Sequence, residues 1–439
     1  MNRLVEQPRS LCALGAQQTA SAIERTVPIV HSGPGCGFKL HLGLGFYNGF
    51  QGGGSYGGAS IVSSNLTDRE IVFGGEERLT SVIDGALKVM DADLYVVLSG
   101  CSSELIGDDV AAVVSTFRRQ GVPIVHAATG GLCGNNYLGH EALCHAIIDK
   151  LLEPAAARTP GLVNVWASVP YQDTFWSGNL SVLKTLLAGL GLKANVLFGP
   201  GSGGLSAWKQ IPSAEFNLVV SPWVGVTVAE KLEKKFGTPW VHFPSLPIGG
   251  VETSRFLREV AVHAKIDTDQ SEQFIRQCET EYYYYVERLA DFILEFRWDL
   301  PSRFTSIADS YYATGLARFL TNDLGLVPAQ QFVTEEPPEH FRVNINRSFQ
   351  DIAPGISADV TFESDGGVIH QTLREQSGPP PILLGTSWDR QIARELGACH
   401  LSVGAPMTDR LVCNGAYAGY VGGLRLLEDL YSSILSSVQ

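Results

Sequence analysis

Three cysteines stand apart from the other five by their surroundings. Cys12 opens Cys-Ala-Leu-Gly-Ala (12–16), just before a run that reads as a helix. Cys36 lies in His-Ser-Gly-Pro-Gly-Cys-Gly (31–37), directly after the apolar residues 27–30. Cys101 lies in Ser-Gly-Cys-Ser-Ser-Glu-Leu-Ile-Gly-Asp-Asp (99–109), directly after another apolar run. A thiolate so placed can ligate a soft metal or an iron–sulfur centre. Gly33, Gly35 and Gly37 let backbone approach a bulky group and aim N–H donors at sulfur without a Cβ in the way. Spacings of 24 and then 65 residues fit no compact ferredoxin-type run. On the residues alone two readings stand side by side, a metal centre and ordinary buried thiols.

The elements that must hold these residues alternate short apolar runs with amphipathic stretches, the pattern of parallel α/β layers. Residues 93–99 and 122–126 read as strands, with helices expected over 108–120 and 139–152 and a linker at 154–160. Two of the three cysteines therefore fall in loops at the carboxyl end of a strand, where open α/β sheets place ligands. The middle of the chain repeats the theme, with strands at 162–167, 194–198, 217–220 and 240–243, helices at 179–191 and 225–236, and one long helix over 268–296. The last third begins again at a strand near Phe304, continues through a helix at 311–323 and pairs around 359–375 and 382–397, and ends in a helix over 417–433. The expected fold class is α/β, with three Rossmann-like domains on parallel sheets at residues 1–155, 156–300 and 301–439.

Composition narrows the function classes. At 439 residues the chain is long for one core. A net charge of −13, with no Lys/Arg cluster to offset it, argues against nucleic acid. No stretch approaches the roughly 18 apolar residues of a membrane span, and the first residues carry no apolar signal core, so a cytoplasmic protein off the membrane is expected. Eight cysteines in such a chain are thiols or ligands rather than a disulfide framework.

Four motifs in order carry a resemblance: Cys-Ala-Leu-Gly-Ala (12–16), Pro-Ile-Val-His-Ser-Gly-Pro-Gly-Cys (28–36), Ile-Val-Phe-Gly-Gly-Glu (71–76) and the Cys101 segment (99–109). Together with the closing Gly-Tyr-Val-Gly-Gly (419–423), they resemble the successive signatures of nitrogenase component 1 subunits over nearly the whole chain. That resemblance implies the nitrogenase component 1 fold. It implies that Cys12, Cys36 and Cys101 are the three ligands this subunit gives to a P-cluster, an [8Fe-7S] centre shared with an unlike subunit, with a [4Fe-4S] centre as the alternative.

The family's catalytic alpha subunit holds its active-site cofactor through a Cys in the middle domain and a His near the C-terminus. The matching stretches here, 198–206 and 406–415, carry neither. The Pro-x-x-Asp-Arg segment at 406–410 resembles the beta subunit instead. The chain is therefore expected to be beta-like, with no catalytic residue of its own. Its implied partners are an alpha-type catalytic subunit, in an α2β2 heterotetramer, and an ATP-dependent homodimeric iron protein. Residues 46–55 and the run of four tyrosines at 282–285 are closer to the nitrogenase-like methylthio-alkane reductases, which implies reductive C–S cleavage of small methylthio-alkanes. A true nitrogenase and a cofactor-assembly scaffold are the alternatives, and a plain nucleotide- or sugar-binding protein is what fold class alone would allow.

Other residues have plainer roles to set beside functional ones. Cys133 follows a strand and has glycines beside it, so it is either a further ligand or an ordinary thiol. Cys144, Cys278, Cys399 and Cys413 read as structural. His31 is expected either to donate to cluster sulfide or to be satisfied within its loop. Asp108 and Asp109 read as helix caps, with Glu104 and Asp109 as candidate proton carriers near Cys101. Two of the four tyrosines are expected in the core and two against another helix or subunit. Gly52, Gly53 and Gly54 are not a phosphate loop, since no Lys-Ser/Thr follows.

Overall fold

The structure is a computed structural model that describes residues 5–51, 61–297 and 300–438. Gly52, Gly53 and Gly54, with the rest of the 46–55 segment beyond Gln51, lie outside the described residues. One parallel sheet stands in each third of the chain. The first holds β1 (Thr26–His31), β2 (Val62–Ser63), β3 (Leu94–Ser99) and β4 (Ile124–Ala128) in the order β2-β1-β3-β4. The second holds β5 (Thr159–Trp166), β6 (Lys193–Asn195), β7 (Ala214–Val220) and β8 (Trp240–Phe243) in the order β6-β5-β7-β8. The third holds β9 (Arg303–Ala308), β10 (Val327–Pro328), β11 (Gln331–Val333), β12 (Val360–Phe362), β13 (Ile382–Gly385) and β14 (His400–Ser402), in the order β12-β11-β9-β13-β14 with β10 pairing β9. The register runs evenly along the central pair of the first sheet, from Thr26 opposite Leu94 to His31 opposite Ser99.

Helices cover both faces of each sheet, so the central strands are buried along most of their length, their few polar side chains (Asn164, Asn217, Thr305 and Ser306 among them) included. All six residues of β3 are buried, as expected of a parallel strand with no solvated face. One core joins the inner faces of the three sheets, while Ile29, Ile83, Val97 and Val114 form a second cluster on the outer face of the first sheet. Asparagine and aspartate side chains start several helices just past strand ends. Asn135 accepts from the N–H groups of Tyr137 and Leu138, and Asp309 from that of Tyr312; each satisfies donors that no helical carbonyl can reach.

Several expectations needed adjustment. Cys36 and Cys101 do not sit in loops: Cys36 lies in the first turn of the helix Pro34–Gly45, and Cys101 is the first residue of the helix Cys101–Ile106. The helix expected over 108–120 begins only at Val110, because Gly107 takes a left-handed turn that ends the preceding one. The long helix runs over Thr268–Val286 and is interrupted by a 3-10 turn at Glu287–Leu289 before Ala290–Phe296. Of the four tyrosines only Tyr282 enters the core, where its hydroxyl donates to Asp323 at 2.9 Å; Tyr283, Tyr284 and Tyr285 are exposed. Each residue turns about 100° round a helix, which carries Tyr283 off the buried stripe although its ring still packs edge-on against Tyr282. The linker expected at 154–160 already joins the sheet at Thr159. Among the described residues no helix is long and apolar enough to cross a membrane.

Candidate metal centre

The three cysteines converge at the carboxyl end of the first sheet. Two small residues show how closely. The backbone N–H of Gly131 donates to Cys101 Sγ at 2.9 Å. A Cβ on Gly131 would stand 3.1 Å from that sulfur and 3.5 Å from Cys12 Cβ, so Cys12 and Cys101 flank one glycine. On the other side, the hydroxyl of Ser32 donates to Cys36 Sγ at 3.2 Å. The same Ser32 side chain lies against Gly100, where any Cβ would collide with it. Cys36 and Cys101 are thus joined through Ser32, and Cys12 and Cys101 through Gly131. Cys12 itself is pinned by a backbone bridge to Asn135, with Ala13 N–H donating to Gly134 O at 2.8 Å. All three thiols are free and partly exposed.

Among the described residues, no three His, Cys, Asp or Glu side chains close up tightly enough to hold a single metal ion. The thiols, each half-buried, are instead linked through Gly131 and Ser32. Soft sulfur donors with N–H and O–H groups aimed at two of them suit iron–sulfur chemistry, because such hydrogen bonds stabilise thiolate charge and set reduction potential. By that test the residues present fit an iron–sulfur centre.

The remaining motif residues support the rim. His31 is fully buried and its Nε2 lies 2.9 Å from Asp108 Oδ2. Burial pushes its pKa down, against the pull of Asp108. Asp108 also accepts from Gly75 N–H at 2.8 Å, and Glu76 accepts from Asp109 N–H at 2.8 Å. The segments carrying Cys36, Gly75 and Cys101 are locked together in this way. Asp108 is therefore no cap; Asp109 is, accepting from Ala112 N–H at 2.9 Å. Glu104 accepts from Ser99 Oγ at 2.8 Å and from Gly130 N–H at 2.9 Å. Its other oxygen faces the exposed thiol of Cys133 at 3.8 Å. Burial and then Glu104 raise the pKa of that thiol. Ser32 lies within the Cys36 motif and Gly131 among the glycines beside Cys133, but neither residue type marks a donor to sulfur. For Ser32 the one signal is its position four residues before Cys36, directly after the strand.

An exposed apolar surface surrounds the thiols. Phe38 follows Cys36 by two residues, and Leu105 and Leu132 lie beside Cys101 and Cys133; they are 66%, 72% and 83% exposed. The short helix Asp68–Phe73 packs against Cys101–Ile106 and adds Ile71, Val72 and Phe73, the last 83% exposed. Contiguous exposed apolar side chains of this size mark an interaction surface.

The family model described as nitrogenase component 1 type oxidoreductase matches residues 12–435. The chain belongs to that family. The nitrogenase molybdenum-iron protein beta chain of Methanococcus maripaludis is 25% identical to it, over 96% of this chain and 92% of its own. The corresponding beta chain of Azotobacter vinelandii is 24% identical, over 98% and 84%. The solved structure "Nitrogenase Cp1 at pH 6.5" superposes with a TM-score of 0.80 at 20% identity, covering 100% of this chain and 94% of its own. The α/β fold with parallel sheets is therefore that of nitrogenase component 1. The chain is a beta-type subunit of a nitrogenase-like oxidoreductase.

Proposed function

We propose that Cys12, Cys36 and Cys101 hold this chain's side of an iron–sulfur cluster completed by an alpha-type partner, an [8Fe-7S] P-cluster rather than a [4Fe-4S] centre. The observation that carries the reading is the single rim of three thiols opening onto uncovered apolar surface. When bound there, such a cluster stores and releases single electrons. The chain's own residues do the rest. The three thiols anchor it, Gly131 N–H and Ser32 Oγ–H stabilise sulfur charge, and the His31–Asp108–Gly75 link holds two cysteine-bearing segments in register. The ring formed by Phe38, Phe73, Leu105 and Leu132 excludes water once the partner docks. No residue of this chain is assigned to bond making; that chemistry belongs to the partner, in an α2β2 complex fed by an ATP-dependent homodimeric iron protein.

For the reaction of the complex we assign reductive C–S cleavage of small methylthio-alkanes, yielding methanethiol and a hydrocarbon. The support is the likeness of the 46–55 segment and of the tyrosines at 282–285 to that group of reductases. The anaerobically purified complex decides both points. About eight irons per heterodimer assignable to the interface, lost in Cys36→Ala, fit the P-cluster, and about four fit the smaller centre. Iron-free but intact complex would sink the cluster reading. Turnover of ethyl methyl sulfide supports the assigned reaction, ammonium from dinitrogen would replace it with that of a true nitrogenase, and cofactor transfer without turnover would make the pair an assembly scaffold.

A further inference from the structure

A cavity of about 250 Å³ lies beside the thiol rim, between the cysteine-bearing N-terminal segment and the Cys36 helix. Its walls are mainly apolar: Leu11, Leu42, Tyr47, Tyr171 and Trp388, with the exposed Phe38 at the rim. Tyr47 and Trp388 meet edge to face with ring centroids 6.3 Å apart, which gives one wall a fixed shape. The volume is far more than one water needs, and it falls below the roughly 300–1,000 Å³ of sites for drug-sized ligands.

Ser10, Lys39 and Gln172 also line this space, but two buried polar groups there have bonding capacity left over. Arg9 is buried, with both terminal nitrogens on Asp389 at 2.7 and 2.9 Å, so its charge is already matched. Its Nε is buried and without a hydrogen-bond partner. Such an unsatisfied buried donor is costly and calls for an acceptor. Gln18, 2% exposed, spends its carbonyl oxygen on Asn136 Nδ2 at 3.1 Å, which leaves its amide N–H groups available. Both groups are donors without an unmatched charge, and Lys39, the other cation of the lining, is exposed and can hold its ammonium group in water.

We propose that this cavity binds a small neutral molecule with an apolar body and one hydrogen-bond acceptor, the acceptor on Arg9 Nε–H and Gln18 and the body against Leu42, Tyr47 and Trp388. A ligand seated there touches Leu11, next to Cys12, and the helix turn that follows Cys36. The site does not depend on the cluster reading, since no cysteine lines it.

The test uses the purified full-length chain with its partner and two probes of nearly equal shape, cyclohexanone and the acceptor-free methylenecyclohexane. Ligand-observed NMR titration is expected to give roughly tenfold tighter binding of the ketone, the ratio one recovered hydrogen bond supplies. A crystal soaked in cyclohexanone is expected to place the carbonyl oxygen at Arg9 Nε. Leu42→Trp, which fills the cavity from a half-buried position, is expected to abolish binding of both probes. No binding by the wild-type complex, equal affinity for the two probes, or a partner side chain already filling the cavity in the crystal would each overturn the proposal. The soak stands on its own if the variant fails to assemble.

Discussion

Asp108 holds two buried donors at once, the Nε2 of His31 and the N–H of Gly75. Asp108→Ala would strand both. At about 1–3 kcal/mol for each of the two unsatisfied buried groups, the expected loss is about 2–6 kcal/mol, read as a lowered denaturant midpoint. Asp108→Asn should cost less, because its amide oxygen still serves Gly75 while its N–H₂ turns His31 Nε2 into an acceptor; equal losses in the two variants would refute this account. Glu141 offers a cleaner test against pH. It is buried between Gly225 N–H, at 2.5 Å, and the Thr227 hydroxyl, and burial raises its pKa to about 7. The folded chain therefore keeps a proton that the unfolded chain releases near 4.5. Stability is lost as pH climbs from about 4.5 to 7, at about 1.4 kcal/mol for each pH unit between those values, or about 3–4 kcal/mol in all. Glu141→Gln has nothing to titrate, so its stability relative to the wild type should rise across that window and level off above it. A difference that stays constant between pH 5 and 8 would rule out the buried, protonated carboxyl.

At the level of elements, the N-terminal segment that carries Cys12 is strapped to the loops of the third sheet as well as to its own unit. Glu6 N–H donates to Asp365 at 3.0 Å, and Arg9 grips Asp389, which His370 also meets at 2.9 Å. Burial alone would push the Asp389 carboxyl up, yet Arg9 and His370 hold it well below the usual carboxylate range. Arg9→Met leaves that charge buried without its main partner and should destabilise the fold by about 3–5 kcal/mol, whereas Arg9→Met with Asp389→Leu should recover most of the loss. A double variant no better than the single would show that Arg9 acts through packing instead. None of this strap was legible in the sequence, because an arginine near a chain end gives no sign of a partner 380 residues away. Runs of buried residues were far easier to read: β8 spans 240–243 as expected, and β3 and β4 fall within two residues. The helix Pro34–Gly45 escapes a sequence reading because its glycines at 35, 37, 43 and 45 argue against helix by propensity, even though Pro34 at its start is a favoured opener. The Cys101 site is marked by its position after a strand and the Ser32 bond to Cys36 is local, but the bond of Gly131 to Cys101 comes only from the meeting of separate segments.

At the scale of the whole molecule, an acidic chain carries exposed apolar side chains beside its thiols. If the face they form is where the alpha-type partner docks, its exposed aromatic and leucine side chains should carry much of the binding energy, because large side chains that become fully desolvated dominate interfaces. Phe73→Glu combined with Leu105→Glu places charge where the chain itself is solvent-exposed, so the fold should persist, as near-unchanged circular dichroism would show. Co-purification should fall by at least about a hundredfold in apparent affinity, since two such truncations each cost about 1–2 kcal/mol or more and the buried charges add to it. Val262→Glu makes the same kind of change at a side chain 79% exposed on the helix Gly249–His263, outside that face, and should leave the complex intact. Size-exclusion chromatography of the co-expressed pair, with iron counted in each fraction, separates the outcomes. If the double variant still elutes as a complex with its full iron, this surface is not the partner interface, and the thiols must face something else. If it elutes alone and iron-free while the Val262 variant keeps both, the same face both recruits the partner and completes the metal centre.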